Sequence, residues 1–205
     1  MDKKSFDVNI WSDIACPWCY VGEKIFKKSL ETFYKMHKNI KVNIIYHAYI
    51  IDPQTKIDGE EYLEYNKRRW GGDGWTTHLK KIGKKYGANF GNWKTWPNTL
   101  LCHKLIAEGK KINKSDEILD DIFIYCYELG KNVSLENTLN EIGNKYGIKY
   151  WNNDENMKSV MLDEKIGKKQ YGISGVPFFI FPNDEVVEGA QSPEIFLQAL
   201  EQSIN

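Results

Sequence analysis

Phe6-Asp7-Val8-Asn9-Ile10-Trp11-Ser12-Asp13-Ile14-Ala15-Cys16-Pro17-Trp18-Cys19 is the stretch whose reading decides the fold. Its first six residues alternate apolar and polar side chains, the period of a half-buried strand. Beyond the cysteines, Val21, Ile25, Phe26, Ser29, Leu30, Phe33 and Met36 recur at helical spacing, with lysines and glutamates on the opposite face. After Lys38-Asn39 a second strand reads Val42-Asn43-Ile44-Ile45-Tyr46. The first 50 residues therefore form a βαβ unit with a Cys-x-x-Cys pair opening its helix. Unpaired N–H groups and the positive end of the helix dipole face Cys16 there, which favours thiolate over thiol. Pro17 suits the first turn, where its missing N–H would have had no partner. Cys19 lies one turn deeper, close enough for its sulfur to join Cys16 in a reversible dithiol couple.

Outward from this unit, the 205 residues suit one domain with a sizeable insertion. Apolar residues make up 41%, including 7 Trp, 12 Tyr and 9 Phe, enough for a packed core. Lys plus Arg and Asp plus Glu are both 28, so no overall field favours nucleic acid or a membrane surface. Apolar runs fall well short of the roughly 20 residues that span a bilayer. The charged start Met1-Asp2-Lys3-Lys4-Ser5 precedes an apolar segment too short for a signal peptide, so a cytoplasmic location is expected. There a structural disulfide framework is not expected. A structural zinc site needs four ligands, and Cys102 and Cys126 stand singly in helical patterns; they read as small core residues, and no metal is expected.

From about Ile57 to Tyr150 the period is helical, with Gly and Asn punctuation and no strand. Ser115 opens one helix, with Ile118, Ile122, Tyr125 and Leu129 on one face; Ser134 opens another, with Leu135, Leu139, Ile142 and Tyr146 inward. A further helix runs through Met157, Val160, Met161 and Ile166 to Tyr171, stopped by Gly172. Val176 to Phe181, a turn at Pro182-Asn183-Asp184 and Val186-Val187 suggest a hairpin, and Ser192-Pro193 starts a last amphipathic helix. The fold class is α/β, thioredoxin-like, with an all-helical insertion between the βαβ half and the ββα half. The expected boundaries are 1–55 and 153–205 for the two thioredoxin-like parts and 56–152 for the insertion.

Three segments carry a resemblance: Ser12-Asp13-Ile14-Ala15-Cys16-Pro17-Trp18-Cys19-Tyr20-Val21-Gly22; Pro97-Asn98-Thr99 with His103; and Tyr171-Gly172-Ile173-Ser174-Gly175-Val176-Pro177-Phe178-Phe179 with Gly189-Ala190-Gln191. Together they resemble the FrnE-like branch of the DsbA family of thiol-disulfide oxidoreductases. The resemblance implies that Cys16 attacks, Cys19 resolves and Pro177 is a cis-proline facing them. It also implies that Val176 pairs its backbone with substrate, beside Pro17 and Trp18. Asn98 and His103 are candidates for the cleft, although Asn98 can instead cap its helix.

The implied function is exchange of protein or peptide disulfides through Cys16-Pro17-Trp18-Cys19, recycled by glutathione or a thioredoxin system. No cofactor is expected beyond the redox-active pair, with glutathione admitted as reductant or co-substrate; neither nucleic acid nor a membrane is an expected partner. One alternative is a glutathione-dependent kappa-class transferase or a hydroxychromene carboxylate isomerase, relatives that usually carry Ser where this chain has Cys16. Another is a peptide-binding chaperone module without catalysis. The chain departs from the pattern where an acidic residue would stand six positions before the first cysteine: Ile10 is there, so the acceptor for the proton of Cys19 is left open. Trp18 replaces the DsbA-type histidine between the cysteines, and Cys102 offers a third thiol. Tyr62 to Trp96 sets Tyr62, Tyr65, Trp70, Trp75, Tyr86, Phe90, Trp93 and Trp96 among eight Lys or Arg and only two acids, Glu64 and Asp73. This reads as helix packing plus an aromatic wall over the active site, with Gly71-Gly72-Asp73-Gly74 as a loop tip.

Overall fold

The computed structural model describes residues 4–204; the expected charged start at Met1-Asp2-Lys3, and Asn205, lie outside the described residues. The alternating stretch forms β1 (Lys4–Ser12), followed by α1 (Pro17–Met36) and β2 (Ile40–Ala48). β1 and β2 run parallel, with Val8 opposite Ile44 and Ile10 opposite Tyr46. Late in the chain β5 (Phe178–Ile180) lies antiparallel on the other side of β1, Ile10 facing Phe179, and β6 (Val186–Glu188) closes the sheet in the order β2-β1-β5-β6. As a central strand β1 is flanked on both sides, which is why its last three residues are all buried despite the alternation before them.

Aromatic packing seals α1 to the sheet. Phe26 lies 5.3 Å from Phe179 and 5.5 Å from Phe196 of the last helix, α8 (Pro193–Gln202), with tilted rings. Each such ring buries a large apolar area, and edge contacts add to it. On the opposite face Trp11, Tyr49, Ile173, Phe178 and Ile180 form a smaller cluster.

Between β2 and β5 stand α2 (Tyr62–Trp70), α3 (Thr76–Tyr86), α4 (Leu100–Lys111), α5 (Ser115–Phe123), α6 (Glu136–Lys145) and α7 (Asp154–Lys169). The sequence pattern needs four corrections here. A two-residue ladder, β3 (Glu60–Glu61) against β4 (Thr95–Trp96), lies inside the stretch read as wholly helical; two residues are too few to show a period. The helix read from Ser115 to Leu129 changes at Ile124–Glu128 into a π turn. The wider turn breaks the 3.6 period, so Cys126 and Tyr127 face inward while Leu129, expected inward, is 51% exposed. Helix α6 starts at Glu136 rather than at Ser134, whose hydroxyl instead accepts the Asn98 N–H at 2.9 Å. In α7, which ends at Lys169 before Tyr171, Met161 is 55% exposed. That helix docks through Asn156, Val160, Asp163 and Gly167, a partly polar face that apolar periodicity does not register.

Candidate active site

Cys16 is the residue before the first turn of α1, and Pro17 takes the first helical position. The loop from β1 is held by Cys16 N–H on the Asp13 carbonyl at 3.2 Å, and Cys19 N–H closes back on the Cys16 carbonyl at 2.9 Å. All four cysteines are free thiols. Cys16 retains 8% exposure, whereas Cys19 is 1% exposed behind it. Burial, and then the neighbouring Cys16, push the Cys19 thiol well above its ordinary range; the Asp13 N–H, 3.4 Å from its sulfur, and the Ser12 hydroxyl oppose this.

The second half of the fold supplies the other wall. The Val176-Pro177 bond is cis, and the Val176 carbonyl accepts the Cys16 thiol at 3.4 Å. Pro177 is fixed by Gly189 N–H on its carbonyl at 2.8 Å. Its ring lies so close to α1 that a Cβ on Gly22 would stand 2.9 Å from Pro177 Cγ, which is why only a glycine fits there.

In front of Cys16 opens an apolar groove of about 460 Å³ lined by Cys16, Pro17, Trp18, Ile51, Trp70, Trp75 and Trp96. The aromatic stretch divides in two. Tyr62, Tyr65, Phe90, Trp93 and Trp96 are buried, with Tyr65 stacked on Trp96 at 4.0 Å. Trp70 and Trp75 are 53% and 36% exposed and meet edge to face at 6.3 Å. Trp75 is anchored by its ring N–H on Asn66 Oδ1 at 2.9 Å, and the Arg69 guanidinium lies 4.4 Å over Trp70.

Asn98 and His103, expected at substrate, do not line this groove. The Asn98 amide donates to the Thr55 carbonyl at 2.9 Å, and its side-chain oxygen accepts Leu100 N–H at 3.3 Å, an Asx turn one residue ahead of the Thr99 cap of α4. His103 is buried, with Nε2 3.2 Å from Asp13 Oδ1. Cys102 and Cys126 are buried as well and face the carbonyls of Val133 and Thr95; burial pushes both thiols up. Sequence reasoning left Asp13 unplaced. Its carboxylate, fully buried, accepts from Ala15 N–H at 3.4 Å, Ile51 N–H at 2.8 Å and His103. Two of these partners come from distant segments, so no local pattern could have shown them. Tyr127 was missed for the same reason: the π turn aims its hydroxyl at the Ile14 carbonyl, 2.6 Å away, under the active-site loop.

A Cys-x-x-Cys pair at a helix N-terminus opposite a cis-proline, on a thioredoxin-like sheet, defines the class. The DSBA-like thioredoxin domain family matches residues 7–201, and the chain belongs to it. It is 26% identical to a probable DsbA oxidoreductase of Streptomyces coelicolor, whose crystal structure superposes with a TM-score of 0.82 over 97% of this chain and 90% of that one. An uncharacterized Bacillus subtilis protein, YwbO, is 21% identical over 94% of both chains. The cytosolic disulfide reductase DsbM of Pseudomonas aeruginosa shares the fold, with 14% identity, a TM-score of 0.70 and coverage of 97% and 98%. The DsbA-like resemblance and the α/β thioredoxin-like class are thus borne out. Family membership points to thiol-disulfide oxidoreductase or related isomerase chemistry. Among the described residues no helix is long and apolar enough to cross a membrane.

Proposed function

We propose that this chain is a protein thiol-disulfide oxidoreductase whose redox couple is Cys16 and Cys19, in the FrnE-like branch that its three motifs resemble. The observation that carries this reading is the setting of Cys16: its thiol points at the Val176 carbonyl beside Pro177, at the edge of an apolar groove, with Cys19 behind it. The Cys16 thiolate attacks a substrate disulfide and forms a mixed disulfide. Cys19 then attacks the Cys16 sulfur and releases the substrate as a thiol, and the same steps reversed oxidise a substrate. Extended substrate lies along the Val176 backbone, with an apolar side chain between Trp18 and the Trp70–Trp75 pair.

In this reading the chain acts in the cytoplasm, where net reduction or isomerisation is the sensible direction. Glutathione fits as recycling thiol; DsbM, of the same fold, has been solved with it. The test combines insulin reduction with a mass-based count of alkylated thiols. Cys16→Ser abolishes exchange, and Cys19→Ser accumulates mixed disulfides because attack survives and resolution does not. Cys16 is also the thiol alkylated first at neutral pH, since the other three are more deeply buried. Faster alkylation of Cys102 or Cys126, or exchange surviving in Cys16→Ser, would overturn the assignment.

A further inference from the structure

When Cys19 attacks the mixed disulfide it must lose a proton, yet it is buried and Ile10 occupies the place where an acidic acceptor would be expected. The Ser12 hydroxyl faces the Cys19 sulfur. Ser12 and His103 together line a small internal cavity of about 10 Å³, room for about one water molecule. Because a carboxylate only accepts, the Asp13 contact places the ring proton of His103 on Nε2 and leaves Nδ1 as the one accepting nitrogen. Two further N–H groups, from Ala15 and Ile51, fix that carboxylate. The far wall of the cavity carries His47, Lys110 and Asp163, which reach partial solvent exposure.

We propose that Ser12, His103 and Asp13 form a buried relay that removes the proton of Cys19 during resolution, and this rests on the redox reading of Cys16 and Cys19. Cys19 sulfur forms a bond to Cys16 sulfur, and the bond from Cys16 to the substrate sulfur breaks. The substrate sulfur leaves as a thiolate with the electron pair. The proton passes from Cys19 through the Ser12 hydroxyl to His103 Nδ1, and from the imidazolium out through the cavity. Ser12 is the group that touches the reacting sulfur; His103 and Asp13 act behind it, Asp13 holding the tautomer and balancing the transient charge. The titratable groups around Asp13 are Cys16, Cys19, Cys102 and Tyr127. Those facing His103 across the cavity are Tyr46, His47, Lys110 and Asp163.

An aryl disulfide that releases a coloured thiolate resolves the two steps of the reduced protein: a first phase from Cys16 attack and a second from Cys19 resolution. The relay predicts that His103→Gln slows the second phase about 10²-fold and weakens its dependence on pH, as loss of a general base does. Ser12→Ala slows the same phase, Ser12→Thr restores it, and Asp13→Asn lowers it while altering its pH profile. Should Asp13→Asn fail to fold, the Ser12 and His103 variants decide alone. Second-phase rates and pH profiles unchanged in the variants, or both phases slowed in parallel, would overturn the relay. A wild-type protein with no first phase would instead overturn the redox reading itself.

Discussion

Glu23 shows how one buried residue sets a pH response. It lies in α1 one turn beyond Cys19, and burial, opposed by Lys27 and reinforced by Asp120 and Asp116, raises its carboxyl to about 7. The Lys27 ammonium sits 2.9 Å from Glu23, 2.8 Å from Asp116 and 2.6 Å from Asp120, and cannot neutralise all three. Hydrogen bonding gives the same answer. The Tyr46 hydroxyl is 2.9 Å from Glu23 Oε1 and 2.8 Å from Asp116 Oδ1, but it has one hydrogen, so one carboxyl must supply the other. The more buried Glu23 is the one that holds it. A folded value above the unfolded one, about 4.3, means stability that is fully present below pH 4 and lost as pH rises through 7. Glu23→Gln is therefore expected to exceed wild type at pH 8 by about 3 to 4 kcal/mol, with little difference at pH 4, in urea titrations. A wild type equally stable at both, relative to the variant, would show that the fold does not shift the Glu23 carboxyl.

At the scale of elements, those with clean apolar periods, β1, α1, β2 and the β5–β6 hairpin, were legible because one buried face records itself in one segment of sequence. Elements that dock through polar atoms were not. On α7, Asp163 binds His47 Nδ1 at 2.8 Å, Ala48 N–H at 3.1 Å and Lys110 at 3.1 Å, clamping the helix to the end of β2 and to α4. Burial pushes its carboxyl up, but His47, Lys110 and the Ala48 N–H outweigh this and hold it below the usual range. Such a group stabilises the fold above its unfolded value, about 3.9, and the contribution is lost as pH falls through the lower folded value. Asp163→Asn is expected to cost about 2 kcal/mol at pH 7, the size of charge-assisted hydrogen bonds, with the gap narrowing below pH 4. Thermal melts at the two pH values check it; a gap that does not depend on pH would assign the effect to packing alone.

For the molecule as a whole, labour divides in the proposed reading between sheet and helical segment: cysteines and proline would supply the chemistry, while α2 and the loop after it supply Trp70 and Trp75 to the groove. The sequence pattern located this aromatic stretch but could not separate core rings from groove rings, since both are large and apolar and only tertiary contacts distinguish them. Nor could it place Asp13 against His103, a contact 90 positions apart. Trp70→Ala with Trp75→Ala is expected to raise KM for a protein disulfide about tenfold, a loss of about 1.4 kcal/mol, with a much smaller effect on a small aryl disulfide and on Tm. A large fall in Tm with unaltered substrate preference would make these rings part of the core.

The Cys16 thiol and the carbonyl it meets at Val176 are 160 positions apart in the chain. During synthesis at about 5 to 20 residues per second, roughly ten to thirty seconds separate their appearance at the ribosome. For that interval the nascent chain carries both sulfurs without the wall that orients Cys16, and Cys19, three residues away, is the nearest thiol that Cys16 can meet. If Cys16 and Cys19 form the proposed couple, it can be oxidised before the folded site exists, and its first redox state is then set by the surroundings of the nascent chain rather than by a substrate.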